Sequence, residues 1–166
     1  MTDLLSDVQD APRDLWPRRA LMGVFTAVAA LALWGFIGQR DSRSVAEANG
    51  VRMVLEAPEA VRGGLYFQAT VEITTEAAIE SPRLVLDEGW FEGMQVNSIE
   101  PAAESEVGRD GRVVLTYPAL EPGDRLKLWL QFQVDPTSPG RRSYDIELDD
   151  ETRPLVRIDR ELTVLP

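Results

Sequence analysis

The 166-residue sequence contains no cysteine and no histidine. Without cysteine there can be no disulfide, no thiolate metal site, no cysteine nucleophile and no lipid-modified bacterial N-terminus. Without histidine the commonest general base and the commonest transition-metal ligand are both missing. No Gly-x-Ser-x-Gly, phosphate loop or dinucleotide fingerprint occurs either, so neither an enzyme nor a cofactor is expected. Basic charge is scarce as well: 17 Lys/Arg stand against 28 Asp/Glu, a formal net charge of −11. The imbalance lies in one part of the chain. Residues 44–166 contain 23 acidic and 12 basic residues, which is −11 by itself. A surface that acidic repels phosphate backbones, so nucleic acid is excluded as a partner.

What is present begins with one long apolar run. Ala20 to Gly38 holds no ionisable side chain, with Arg18 and Arg19 before it and Gln39, Arg40 and Asp41 after it. Nineteen residues in a helix reach about 28 Å, close to the hydrocarbon thickness of a bilayer. The run predicts a single transmembrane helix over 20–38. Residues 1–19, with four Asp, three Arg and two Pro, read as a largely disordered tail, since Pro12 and Pro17 interrupt any helix begun at Leu4. Trp16 sits where an indole anchors a helix at headgroup level.

A cleaved signal would need the site at Ala46-Glu47-Ala48. The charged spacer before it and the length of the apolar run favour an uncleaved signal anchor. Arginine counts on the two sides nearly tie, and the Arg18–Arg19 pair tips the orientation to a cytoplasmic N-terminus. Gly23 and Ala27, one turn apart, form a small-xxx-small pair that would let another helix approach.

Residues 39–50 read as a linker. From Val51 onward the apolar period changes to two, the mark of strands with one buried face. Leu126, Leu128, Leu130, Phe132 and Val134 form the longest clean alternation, opposite Lys127, Trp129, Gln131 and Gln133. Asn49-Gly50, Gly63-Gly64, Asp110-Gly111, Pro122-Gly123 and Pro139-Gly140 supply reversals, and Asp110-Gly111 suits a two-residue hairpin turn. Seven or eight short strands without an amphipathic helix predict an all-β domain over 51–166. An immunoglobulin-like antiparallel β-sandwich is the expected fold, with a small barrel as the alternative.

The segment Pro118 to Val134, PALEPGDRLKLWLQFQV, resembles part of bacterial extracytoplasmic Ig-like modules, where a Leu-x-Pro-Gly turn launches a long alternating strand. The span followed by this domain also resembles single-pass membrane proteins of actinobacteria. The resemblance implies adhesion, a spacer role or a subunit of an envelope complex, and carries over no functional residue.

Three groups of residues are candidates for chemistry. Asp145, Glu147 and Asp149 share one strand face and could offer oxygens to Ca²⁺, although such neighbours lie about 7 Å apart and a solvated face is the simpler reading. Asp87, Glu88 and Glu92 could serve as paired carboxylates, but nothing around them suggests a sugar cleft. Trp90 and Phe91, between Gly89 and Gly93, either plug one end of the sandwich or present an aromatic anchor to a partner protein. The expected function is therefore a membrane-anchored extracytoplasmic interaction module, an accessory subunit of a cell-envelope complex. A Ca²⁺- or carbohydrate-binding Ig-like module is the alternative.

Overall fold

The computed structural model describes residues 15–33 and 41–166, which fall in two compact units, Met1–Gly38 and Gln39–Pro166. In the first unit α1 spans Leu15–Leu33. It starts five residues before the expected Ala20 and takes in Pro17, Arg18 and Arg19, because a proline within a first turn removes no intrahelical hydrogen bond. Those two charges lower the mean hydropathy of the helix. Among the described residues no helix is long and apolar enough to cross a membrane. The tail over 1–14 and the end of the expected span, Trp34–Gly38, lie outside the described residues.

The second unit is an all-β sandwich of antiparallel sheets. Its strands are β1 (Asp41–Ala48), β2 (Val51–Pro58), β3 (Ala60–Arg62), β4 (Tyr66–Thr75), β5 (Pro82–Leu86), β6 (Met94–Glu100) and β7 (Ser105–Arg109). There follow β8 (Arg112–Thr116), β9 (Arg125–Val134), β10 (Gly140–Ser143), β11 (Ile146–Asp150), β12 (Arg153–Ile158) and β13 (Glu161–Leu165). One five-stranded sheet has the order β1-β2-β4-β9-β6 and the other β12-β11-β5-β8-β7, while β10-β13-β3 form a small third sheet with β13 parallel to β3.

The strands number more than the seven or eight expected, and within the expected linker 39–50 the described part forms a strand, Asp41–Ala48, and a turn. Its β1 pairs with β2 along their whole length, from Asp41↔Pro58 to Ala48↔Val51. The Asn49-Gly50 turn that joins them has both residues at positive φ, 53° and 74°, the geometry that matches strand twist in a two-residue hairpin. Asp110-Gly111 does the same between β7 and β8, with φ of 51° and 80°.

Period-two alternation decides which side chains meet between the sheets. Val51, Met53 and Leu55 of β2, Phe67, Ala69, Val71 and Ile73 of β4, and Leu128, Leu130, Phe132 and Val134 of β9 are all buried. From the second sheet come Leu84, Leu86, Leu115, Ile146, Leu148, Val156 and Ile158, and the two sets make one continuous core. Leu65 falls outside β4 and is 48% exposed, so that alternation begins one pair later than the sequence implies.

The interruption at Arg160 has a structural cause. Its side chain is only 9% exposed and its guanidinium donates to Ser42 Oγ (2.5 Å), Ser42 O (3.4 Å) and Ala57 O (3.0 Å). A buried cation thus ties the turn before β13 to both β1 and β2, its own donors satisfied by their carbonyls and the Ser42 hydroxyl.

Candidate interaction face

The loop after β5 carries Trp90, and the structure corrects its expected role as a partner anchor. Trp90 ends a single 3₁₀ turn, Glu88–Trp90, and is 0% exposed. Its indole stacks on Tyr144 at 3.6 Å between centroids and lies 5.7 Å from Phe132. The indole N–H donates to Asp145 O at 2.9 Å. Gly89 makes this inward turn possible. A Cβ there would lie 1.7 Å from Ser143 O, so only glycine lets the loop press against β10. Phe91 is half-buried and meets Phe132 edge-on at 6.2 Å. Both aromatics plug the end of the core.

Glu147 and Asp149 alternate onto one face of β11 and Asp145 immediately precedes that strand, but the arrangement does not free the three for a cation. Asp145 accepts from Arg160 N–H (2.8 Å) and from Arg157 (2.6 Å), and Arg157 also reaches Glu147 (3.7 Å) and Asp159 (2.5 Å). The hydrogen bond with Asp159, then that with Asp145, holds the Arg157 guanidinium more firmly protonated than usual. Asp149 is half-buried with Oδ1 unpartnered, and burial, then the Glu147 charge, raises its pKa above the ordinary range. That is the reverse of a calcium ligand, which must ionise easily. Among the described residues no cluster of three or more His, Cys, Asp or Glu could hold a metal. The carboxylate trio Asp87, Glu88 and Glu92 is broken up as well. Asp87 accepts from the Ser143 hydroxyl and from Arg112 (3.0 Å), and these contacts, Ser143 foremost, lower its pKa.

What the second sheet does present is a row of valines on its outer face. Register aligns Arg157, Glu147, Val85, Val114 and Val107 across β12, β11, β5, β8 and β7. Val85 and Val114 are half-buried by their neighbours, and Val107 is 55% exposed. On one side of this row stand Asp149, Arg83 and Thr116, and on the other Asp145, Asp87 and Arg112. Every residue of β7 is exposed, and β7 pairs only with β8, so its outer edge keeps unpaired backbone donors and acceptors. An apolar centre within a charged rim, beside a free strand edge, is how protein interfaces are built.

An open cleft of about 830 Å³ lies elsewhere, beside β1, β10 and β13. Polar side chains such as Ser44, Glu59, Arg141 and Glu161 line it, and Arg160 in its wall is already bonded to Ser42 and Ala57. Its lining is mainly polar, whereas ligand pockets are lined chiefly by apolar side chains.

Neither Val107 nor Val114 stands out in the sequence, since β7 has one apolar residue in five. The signal that could have found them is the Asp110-Gly111 turn. A two-residue hairpin needs two paired arms, which makes Ser105–Arg109 a strand and aligns Val107 with Val114.

No family model matches the chain, and no curated protein matches it significantly. Among solved structures it is similar to a non-cellulosomal cohesin from the hyperthermophilic archaeon Archaeoglobus fulgidus, with 16% identity, 66% of this chain and 88% of that one covered, and a TM-score of 0.41. It is similar to CaCohA2 of Clostridium acetobutylicum in solution, at 11% identity, 77% and 93% coverage and a TM-score of 0.41. A complex of a CaDoc0917 variant with CaCohA2 gives 12% identity, with 64% of this chain and 94% of that one covered, and the same TM-score of 0.41. A likeness of this size does not extend to function.

Proposed function

We propose that this chain is a protein-interaction module rather than an enzyme, held at a membrane by its N-terminal apolar segment, with its N-terminus cytoplasmic and the sandwich outside. In this reading it is an accessory subunit of a cell-envelope membrane complex. The observation that carries the interaction role is the valine row Val85, Val114 and Val107, set among ion-paired charges and next to the free edge of β7. The absence of histidine and cysteine, and the engagement of Asp87, Asp145 and Glu147 in ion pairs, support a non-catalytic role.

The anchor rests on α1 and the apolar residues that follow it. Leu21, Met22, Val24, Phe25, Val28 and Leu31 are all 47–65% exposed over one half of the helix, and the other half carries the exposed small residues Ala20, Gly23, Thr26, Ala27 and Ala30. Thr26 turns its hydroxyl back onto Met22 O at 2.8 Å, which hides its polarity within the helix. A helix with no polar face is stable when lipid or other helices cover it. The apolar sequence continues through Trp34–Gly38, and Gly23 with Ala27 would admit a second helix.

The test has two arms. After carbonate extraction of native membranes the chain should stay in the pellet, and protease added to spheroplasts should digest residues 41–166. Release by carbonate, or protection of the sandwich, contradicts the anchor. In the second arm Val107→Asp with Val114→Asp should shift the chain to a smaller species on native electrophoresis with little change in melting temperature. An unchanged complex contradicts the interaction face.

A further inference from the structure

The outer face of the other sheet has a different chemistry. Register lays Tyr66, Gln133 and Gln95 in one row across β4, β9 and β6, then Gln68, Gln131 and Ser98 in the next, then Thr70, Trp129 and Glu100. Tyr66 is 65% exposed and Trp129 40%, on an otherwise open strand surface. The first two rows carry no formal charge, in a protein whose charged residues make up 27% and whose net charge is −11. Charge enters with the Trp129 row, which ends in Glu100 on β6 and continues on β2 into Glu56, paired with Arg43 (3.6 Å); beyond it Glu72 pairs with Arg125 (3.5 Å) and Lys127 Nζ sits 5.4 Å from the Trp129 ring centroid. Gln131 donates to Gln68 Oε1 at 3.3 Å, which uses one of its two N–H donors and orients both amides in the plane of the face.

Flat surfaces of neutral amides flanked by exposed aromatic rings match one ligand chemistry well. Amides both donate and accept, as sugar hydroxyls do, and an aromatic face packs against the apolar C–H face of a pyranose ring. An acidic or basic partner would instead meet complementary charge, which these rows lack. A sheet face also suits an extended, ribbon-like ligand better than a coiled one. Tyr66 and Trp129 stand four register positions apart, about 13 Å along the strands, so they would engage different units of one chain. We infer that the outer face of β4, β9 and β6 binds a neutral, β-linked polysaccharide, with Trp129 and Tyr66 as stacking platforms and Gln68, Gln131 and Gln133 as its hydrogen-bonding groups. This face lies on the other sheet from the valine row, and its role is independent of that row.

The experiment is titration of the full chain in detergent with cellohexaose and with chitohexaose, followed by calorimetry and by tryptophan fluorescence. One of the two should bind and shift the tryptophan emission, and Trp129→Ala should abolish that shift while Trp16, Trp34 and Trp90 remain. Trp129→Ala should weaken binding at least tenfold and Tyr66→Ala several-fold. Trp129→Tyr should keep most of it, and Val107→Asp should change nothing. Melting temperatures of the Trp129 and Tyr66 variants should stay within a few degrees of the parent, because both rings are on the surface. Absence of binding by both hexasaccharides overturns the inference. So does binding that Trp129→Ala leaves intact, or capture of a protein by a photo-crosslinker placed at Gln68.

Discussion

Replacing Trp90 with alanine removes the largest fully buried side chain of the sandwich, and the loss can be worked from its contacts. The indole is 0% exposed, stacks on Tyr144 at 3.6 Å, lies against Phe132 and donates its N–H to Asp145 O at 2.9 Å. Truncating a buried aromatic to alanine costs about 3–5 kcal/mol, the spread reflecting how far the site collapses. Collapse here is opposed by two aromatic rings, Tyr144 and Phe132, and the Tyr144 stack adds roughly 0.5–1.5 kcal/mol beyond area. Asp145 O keeps one donor, Asp87 N at 3.2 Å, so it is not left orphaned. The expected loss is about 4–6 kcal/mol, a large part of the about 5–15 kcal/mol that stabilises a typical domain. Trp90→Phe keeps much of the ring but loses the hydrogen bond, and should cost only about 1–2 kcal/mol. Urea unfolding followed by far-UV circular dichroism measures both without relying on the deleted fluorophore. A loss below about 1 kcal/mol for Trp90→Ala would mean that the indole leaves the core, and that the loop is free to anchor a partner after all.

Three further outcomes follow from neighbouring features. Gly89→Ala sets a methyl 1.7 Å from Ser143 O, so the loop must lift from β10, and denaturation should show a loss of about 1–3 kcal/mol or more; an unchanged midpoint would contradict the close approach. Arg160→Leu removes the guanidinium that joins Ser42 and Ala57 to the turn before β13, and limited proteolysis should cut β1 first; uniform resistance would contradict the clamp. Asp149→Asn should raise the melting temperature at pH 7. Its folded pKa is raised, so the native state favours the protonated form, and stability present at acid pH is lost as pH rises through that pKa. The advantage of the variant should therefore fade in acid, and an equal gain at all pH values would contradict burial as the cause. Arg83 and Arg112, which act in the opposite sense on Asp149, do not reverse the direction.

Much of the sandwich was legible because period-two alternation is a strong signal wherever one face is buried. Leu128, Leu130, Phe132 and Val134 are all at most 1% exposed, and Trp129 is on the outer face opposite them. The strands that escaped notice have little apolar content to alternate. β1 carries Val45 and β7 carries Val107, each exposed, because an edge strand is held by backbone pairing more than by side-chain burial. The fate of Trp90 depended on Gly89 and on the approach of β10, some fifty residues away in the chain, and neither proximity is written in local sequence. Arg160 broke an apolar pattern for a reason that only tertiary structure supplies, namely acceptors on β1 and β2 that hold its guanidinium. The valine row was hidden for a related reason. Valines at 85, 107 and 114 become one row only through register.

The claim that this row contacts a protein is tested most directly by photo-crosslinking in native membranes from a residue placed at Val107. The account predicts one adduct of defined mass from position 107, and none from position 52, which lies on the outer face of the opposite sheet. No adduct from 107, or the same adduct from both positions, would contradict it.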